Sequence, residues 1–238
     1  IITFDRPESL KRLLDSLVLA NYFLHSVDLL FSIDTRDGVD SLATKEVQNL
    51  ARQFRRPYGK KKIRRRQRHG GLVTAVMESW YPMYDNEFYL FAEDDIELSP
   101  LWYQWAIATI NKYRISHKFL KFSGTIAGIS LYTNRLLETV WPYQIRHIRD
   151  VTNSSAILYQ LPCSWGGIYF PEHWKIFREF AFLRSNDVNN ILLEHSTTNG
   201  WTKSWVKFMH ELMYLKSWTL LYPNFPGEES FATNNIEP

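Results

Sequence analysis

The stretch Phe88-Tyr89-Leu90-Phe91-Ala92-Glu93-Asp94-Asp95-Ile96-Glu97-Leu98-Ser99-Pro100 sets three adjacent carboxylates, Glu93, Asp94 and Asp95, where a run of apolar and aromatic residues stops. Such a run reads as a buried strand, with the acids at its end. Burying an ionised carboxylate costs several kcal/mol unless it is paired or coordinates a metal. Oxygen ligands suit Mg²⁺ or Mn²⁺, and Mg²⁺-like ions take one or two carboxylates and leave other positions to water and substrate phosphates. The chemistry implied is a cation that holds a diphosphate. A plainer alternative is a helix start, since acids favour helix N-termini and Ser99-Pro100 reads as a cap followed by a proline at the first helical position. That accounts for Ser99, Pro100 and Glu97 better than for three acids set directly against an apolar strand.

The elements that must position these acids follow from spacing. Ile1 to Phe4 reads as a strand end, and Arg6-Pro7 leads into a helix with Leu10, Leu13, Leu14 and Leu17 at helical intervals. Val27 to Ile33 reads as a second strand, ending at Asp34-Thr35-Arg36-Asp37-Gly38, and a helical pattern runs from Val39 to Phe54. Strands alternating with helices imply a parallel sheet, whose ligands collect beyond the strands' carboxyl ends. Asp5, Asp34 and the Glu93 cluster all fall at such ends. Further along, helices are expected at Leu72 to Tyr81, Trp102 to Tyr113, from Pro171, and at Trp201 to Tyr214. A strand is expected at Phe119 to Ile129 and another at Ser130-Leu131-Tyr132, although Gly124 and Gly128 make the first a poor plain core strand. After Tyr222-Pro223-Asn224 the chain reads as a polar tail. The fold class expected is α/β, a mostly parallel central sheet flanked by helices.

At 238 residues, with 45% hydrophobic and 16% aromatic content, the chain can bury a large core, and one domain over 1–238 is expected. No apolar run reaches the roughly 18 residues that span a bilayer, and no signal pattern opens the chain. The start at Ile1-Ile2-Thr3-Phe4 and the stop at Ile236-Glu237-Pro238 suit a catalytic region cut from a longer chain, so membrane association is expected only through a segment outside it. Cys163 is the sole cysteine, which excludes an intrachain disulfide or a cysteine-based zinc site and leans toward a reducing compartment. Asn153-Ser154-Ser155 is a glycosylation sequon, a triplet that arises often by chance, so neither feature decides the compartment. Arg52 to Arg68 holds ten Lys or Arg and no acid; removing those ten from 28 leaves 18 against 25 acids, a net of −7 for the remainder. The positive charge is therefore local. It suits either a polyanion-binding patch or an edge strand guarded by lysines. Within it Arg68 and His69 precede Gly70-Gly71 and a helix, where a basic residue could face a diphosphate. The aromatic stretch Tyr159 to Phe170, with Trp165-Gly166-Gly167 in a turn, could stack on a sugar or fill the core.

In this order the landmarks resemble the nucleotide-sugar glycosyltransferases of the GT-A fold, and among them the N-acetylglucosaminyltransferase I family most. The residues that carry the resemblance are Thr3-Phe4-Asp5-Arg6-Pro7, Ile33-Asp34, Arg68-His69, Glu93-Asp94-Asp95-Ile96-Glu97-Leu98-Ser99-Pro100 and Trp165-Gly166-Gly167. The resemblance implies a GT-A, Rossmann-like sheet, with residues 1–100 as the nucleotide and metal half and 101–238 as the acceptor half. It implies transfer of a sugar, GlcNAc as first guess, from a UDP-sugar to a hydroxyl of a glycan or other acceptor, in the Golgi or another secretory lumen if an anchor precedes the chain and otherwise in the cytoplasm. Asp95 would bind Mn²⁺ or Mg²⁺, and Glu93 and Asp94 would contact donor sugar, ribose or metal-bound water. Thr3, Phe4, Asp5 and Arg6 would form the first nucleotide loop, Asp34 would hold the uridine, and Arg68 with His69 would neutralise the diphosphate. Trp165, Gly166 and Gly167 would receive the sugars. The family's tryptophan-flanked base is absent: Trp201-Thr202-Lys203-Ser204-Trp205 contains no acid, and lysine is a poor base unless desolvated. Glu211 and Asp187 are the substitutes expected. Two other classes stay in view, a nucleic-acid or anion-binding module built on Arg52 to Arg68, and a hydrolase with two carboxylates roughly 5–10 Å apart across a sugar.

Overall fold

Helical spacing of leucines decides the first layer. Leu10, Leu13, Leu14 and Leu17 all lie on the buried side of one helix, and truncating any one to alanine would cost about 2–5 kcal/mol. The computed structural model describes residues 1–36, 40–55, 59–116, 124–134, 136–137, 144–145 and 152–235. The chain runs β1 (Ile2–Thr3), α1 (Pro7–Leu19), β2 (Leu29–Ile33), α2 (Leu42–Gln53), β3 (Lys61–Arg65), α3 (Gly71–Ser79), β4 (Tyr89–Leu90), β5 (Ile96–Leu98), α4 (Trp102–Ile110), β6 (Ile126–Ser130), β7 (Leu136–Leu137), β8 (Gln144–Ile145), β9 (Ala156–Tyr159), β10 (Gly167–Tyr169), α5 (Pro171–Arg184), α6 (Trp205–Lys216), β11 (Thr219–Pro223) and β12 (Ala232–Asn234).

Strands β1, β2 and β3 form a parallel sheet in that order, and β4-β10-β6-β11-β9 form a second. The Ile2 amide donates to Ala92 O at 2.8 Å, and a parallel bridge joins Ile2 to Glu93, so the two sheets meet on the segment that carries the acids. In the joined sheet β1, β2, β3, β4, β6 and β11 point one way, while β9 and β10 run against them. The expected mostly parallel α/β sheet is present, with helices packed against it. One apolar cluster lies around α1, α4, Phe31 and Ile33. Another centres on Trp174, Trp205, Phe91, Tyr169 and Phe177. Among the described residues no helix is long and apolar enough to cross a membrane.

Several elements differ from expectation. α2 starts at Leu42, because Ser41 accepts the Thr44 amide at 3.1 Å and caps it; Val39 lies outside the described residues. α6 starts at Trp205, where Ser204 supplies the cap, and the preceding Trp201 ends a short 3₁₀ turn. Ser130-Leu131-Tyr132 is not a separate strand: Ser130 closes β6 and the chain bends. The expected strand from Phe119 survives as β6, and residues 119–123 lie outside the described residues. Gly128 marks a central strand rather than a weak one, since a Cβ there would stand 2.2 Å from Ile168 O. Only glycine lets β6 and β10 approach so closely. The polar tail is also structured, as β12 pairs antiparallel with β5.

Candidate active site

Three parallel strand ends and the Glu93 bridge meet at one edge, where the short loop after β1 reaches two groups of polar side chains. Thr3 Oγ1 donates to Asp94 Oδ2 at 2.6 Å. Arg6 donates to Asp94 Oδ1, and its Nη1 lies 3.8 Å from Asp95 Oδ2. Pro7 opens α1 and keeps Arg6 extended, at φ −116° and ψ 77°, which directs the Arg6 side chain off the helix start. Asp94 is buried, while Asp95 keeps 20% exposure. Burial raises the Asp94 carboxyl, with the Thr3 and Arg6 hydrogen bonds opposing it. Burial, then Asp95 and Asp94, push the Glu93 carboxyl up to about 8, against the Trp205 indole and Arg6. Three carboxyl groups therefore crowd this turn beside the Arg6 guanidinium.

The second group centres on Asp34 at the end of β2. Its Oδ1 accepts the Thr35 and Gly70 amides at 2.9 and 3.2 Å, and its Oδ2 accepts the Gly71 amide at 3.1 Å. Asp34 thus sits on the N-terminus of α3, where an anion is favoured by both free amides and the helix dipole. His69 Nδ1 lies 3.1 Å from Asp34 Oδ2 and 3.2 Å from Thr35 O; both are acceptors, so Nδ1 carries the proton. The Phe4 ring lies 5.9 Å from the His69 ring. Arg36 stands over Phe4 at 5.2 Å and pairs with Asp5 Oδ2 at 2.9 Å. Sequence reasoning did not single out Arg36, although it stands two residues beyond Asp34. Arg66, 3.7 Å from Asp34 Oδ1, was hidden among nine other cations of its segment.

Across the sheet junction, the Phe91 amide donates to Gly167 O at 2.9 Å, which holds Trp165, Gly166 and Gly167 beside the acid-bearing segment. Gly166 has φ +86°, a conformation that favours glycine. A Cβ on Gly167 would meet Cys163 O at 2.3 Å, so this glycine pair is required by packing whatever else it serves. Trp165 meets Tyr132 edge to face at 4.8 Å. Trp205, the first residue of α6, is fully buried against Phe91, and its indole opposes the upward shift of the Glu93 carboxyl; the end of the acid-free Trp201 to Trp205 segment therefore abuts the acid-bearing segment. The far end of the chain closes the turn: the Asn235 amide donates to Asp95 O at 2.7 Å, and Asn235 Nδ2 donates to Glu97 Oε1 at 2.9 Å.

Other expected residues fall elsewhere. Arg68 is exposed beside His69. Glu211 is buried on α6, roughly 9 Å along the helix axis from Trp205, with Arg184 Nη2 3.1 Å from its Oε1. Asp187 is exposed in the short 3₁₀ turn that follows α5 and accepts from Asn190 Nδ2 at 3.1 Å. Part of the basic segment holds helices on the edge strand β3. Lys61 Nζ donates to Ala51 O, Arg52 O and Phe54 O at 2.8, 2.7 and 2.9 Å, capping the α2 C-terminus. Arg64 donates to Glu78 O, Arg66 to the Glu78 carboxylate, and Arg65 to Asp40 at 2.7 Å; residues 56–58 of the segment lie outside the described residues.

Among the described residues no group of three or more His, Cys, Asp or Glu side chains is arranged to hold a metal. The donor set of the turn nonetheless fits a hard divalent ion, because it consists of oxygens, those of Thr3, Asp94 and Asp95, and Asp95 keeps 20% exposure. Such an ion needs only one or two carboxylates when phosphate and water complete its shell.

The sequence profile described as SPBC1E8.03c C-terminal domain matches residues 8–190. No curated protein matches the chain. The crystal structure of S. aureus TarS 1-349 in complex with UDP aligns over 100% of this chain and 60% of that one, at 14% identity and a TM-score of 0.52. The same protein with UDP-GlcNAc aligns over 100% and 58%, at 14% identity and a TM-score of 0.49. The chain thus spans 60% of the length of the first of these structures, and at this identity the likeness shows a shared fold. The profile that matches is not that of the N-acetylglucosaminyltransferase I family.

Proposed function

The chain belongs to the SPBC1E8.03c C-terminal domain family, and we propose that it is a metal-dependent glycosyltransferase that moves a sugar from a UDP-sugar to an acceptor hydroxyl. The observation that carries this reading is the meeting of Thr3, Arg6, Asp94 and Asp95 at the end of β1, beside Phe4, His69 and Asp34. UDP in the S. aureus TarS structure supports a uridine nucleotide as the donor's carrier, and GlcNAc is the first sugar to test. Residues 1–100 would serve the nucleotide, and 101–238 the acceptor.

In this reading Asp95 holds Mn²⁺ or Mg²⁺, with Glu93 and Asp94 behind it. The cation would offset charge that builds on the departing nucleoside diphosphate. Phe4 and His69 offer ring faces to the nucleobase, and Arg36 and Arg68 supply positive charge at the same edge. Thr3 and Arg6 fix Asp94, which sets the turn and hence the aim of Asp95. Trp165, Gly166 and Gly167 border the sugar. Asp34 serves chiefly to cap α3 and fix the His69 ring, so its contribution to uridine binding is indirect. Glu211 holds Arg184 and leaves the acceptor proton to another group.

The test is thermal stabilisation by UDP with and without Mn²⁺, together with hydrolysis of a panel of nucleotide sugars, which needs no acceptor. A UDP shift that requires Mn²⁺ and disappears in Asp95→Ala is expected. Absence of both binding and turnover for every nucleotide sugar would end the proposal.

A further inference from the structure

The acid turn already contains a cation. Arg6 bonds Asp94 on one side and stands 3.8 Å from Asp95 on the other, and the fork of a guanidinium can serve two carboxylates at once, as a point charge cannot. Its side chain keeps 39% exposure whereas that of Asp94 keeps 1%, so Arg6 lies between the buried acid and the open side of the turn. We propose that Arg6 is the resident counter-ion of the acid turn, that a divalent ion reaches Asp95 in competition with it, and that metal and nucleoside diphosphate therefore load together. The proposal rests on Asp95 as the cation ligand.

Charge repulsion sets the competition. A divalent ion at Asp95 would sit within a few ångströms of the guanidinium, and like charges at that range repel even in a largely solvated site. Arg6 has little freedom to withdraw, because Pro7 fixes the backbone behind it and Asp94 would be left buried with Thr3 as its remaining side-chain hydrogen-bond donor in the turn. Glu93 and the Trp205 indole face the same turn, and neither supplies further positive charge. A diphosphate brings the negative charge that lets both cations stay. Each ligand then raises the affinity of the other by the same factor.

Mn²⁺ binding followed by the electron paramagnetic resonance signal of the free ion tests this without turnover. Wild type, Arg6→Ala and Arg6→Gln are titrated with and without UDP; the glutamine variant keeps a donor for Asp94 while removing the charge, which guards against a variant that fails to fold. Wild type is expected to bind Mn²⁺ on the order of tenfold more tightly with UDP present, and the variants without UDP to bind on the order of tenfold more tightly than wild type, the size set by one unit charge near a divalent ion in a high-dielectric site. UDP should then add little to the variants. Equal Mn²⁺ affinity in wild type and variants, with UDP-dependent binding in all, overturns the role of Arg6 and leaves Asp95 as the ligand. No Mn²⁺ binding by wild type even with UDP overturns the Asp95 reading and this inference together.

Discussion

Arg184 closes α5 and reaches α6, where its Nη2 lies 3.1 Å from Glu211 Oε1 and its Nε 3.0 Å from Glu211 Oε2. Their side chains are 7% and 1% exposed. The same guanidinium holds the carbonyls of Asp187 and Asn190, and Lys207 Nζ donates to Val188 O at 2.7 Å, so buried cations anchor the segment that leads to the cap of α6. Arg184→Met keeps the stem's packing and strands Glu211. Removing one member of a buried pair costs about 3–5 kcal/mol; with Lys207 still favouring the ionised Glu211, the low end applies. About 3 kcal/mol should lower Tm by roughly 6–12 °C in a chain of this size. The pH dependence has a definite sign. Burial raises the Glu211 carboxyl, and Arg184 is the first group to oppose this. Without Arg184 the folded-state value rises further above the unfolded one. The protonated form then favours folding, fully so below the unfolded value and less as pH rises through the folded one. The deficit against wild type should therefore be smaller near about pH 5 than near about pH 8, as read from urea denaturation, and Glu211→Leu added to Arg184→Met should recover the pH-dependent part of it. A loss below about 1 kcal/mol that is the same at both pH values, with no recovery in the double variant, would overturn this account of the pair.

Two further outcomes are expected. In metal-free buffer the raised Glu93 carboxyl, 4.5 to about 8, stabilises the fold fully below the lower value and loses that contribution as pH rises through the higher, so Glu93→Gln should match wild type in acid and exceed it at about pH 9. Each tenfold difference in proton affinity between folded and unfolded chain is worth about 1.4 kcal/mol. Because the side chain keeps some exposure, we expect a gain of ~1–2 kcal/mol; parallel pH–stability curves would contradict it. Asp34→Ala should lose about 1–2 kcal/mol through the uncapped α3 and weaken UDP binding through a loosened His69. Asp34→Asn, which retains an oxygen acceptor, should recover part of both, and isothermal titration with UDP checks the second effect.

Periodicity made α1 and α2 legible, because apolar residues at helical spacing, Leu10, Leu13, Leu14 and Leu17 in α1 and Val47 and Ala51 in α2, have one buried face to fill. Proline marked the starts of α1 and α5 for an equally local reason. The acids at the end of an apolar strand were legible too, since carboxylates beside buried residues need a partner. What sequence could not show was how that need is met. Arg6 read only as part of a loop, yet it reaches across to Asp94. Asp34 read as a ligand residue, yet its oxygens accept the α3 amides, a role visible only once β2 and α3 are adjacent. Lys61, Arg64, Arg65 and Arg66 read as one patch of charge, but strand alternation and neighbouring helices give each a different acceptor. Starts of helices erred where a cap competed with the apolar pattern, as at Ser41 and Ser204.

Asn235 binds the acid turn through both its backbone and its side chain, the latter to Glu97, a residue 138 positions earlier. Contacts of such sequence separation form late, after the entropy of closing a long loop has been overcome. On a ribosome the turn would emerge well before β12, with three acids near one another and the closing bonds still unmade. The same order holds in reverse for the finished protein: fraying of β12 would loosen the turn without unfolding the sheet, so amide exchange there should report the readiness of the site rather than the stability of the whole fold.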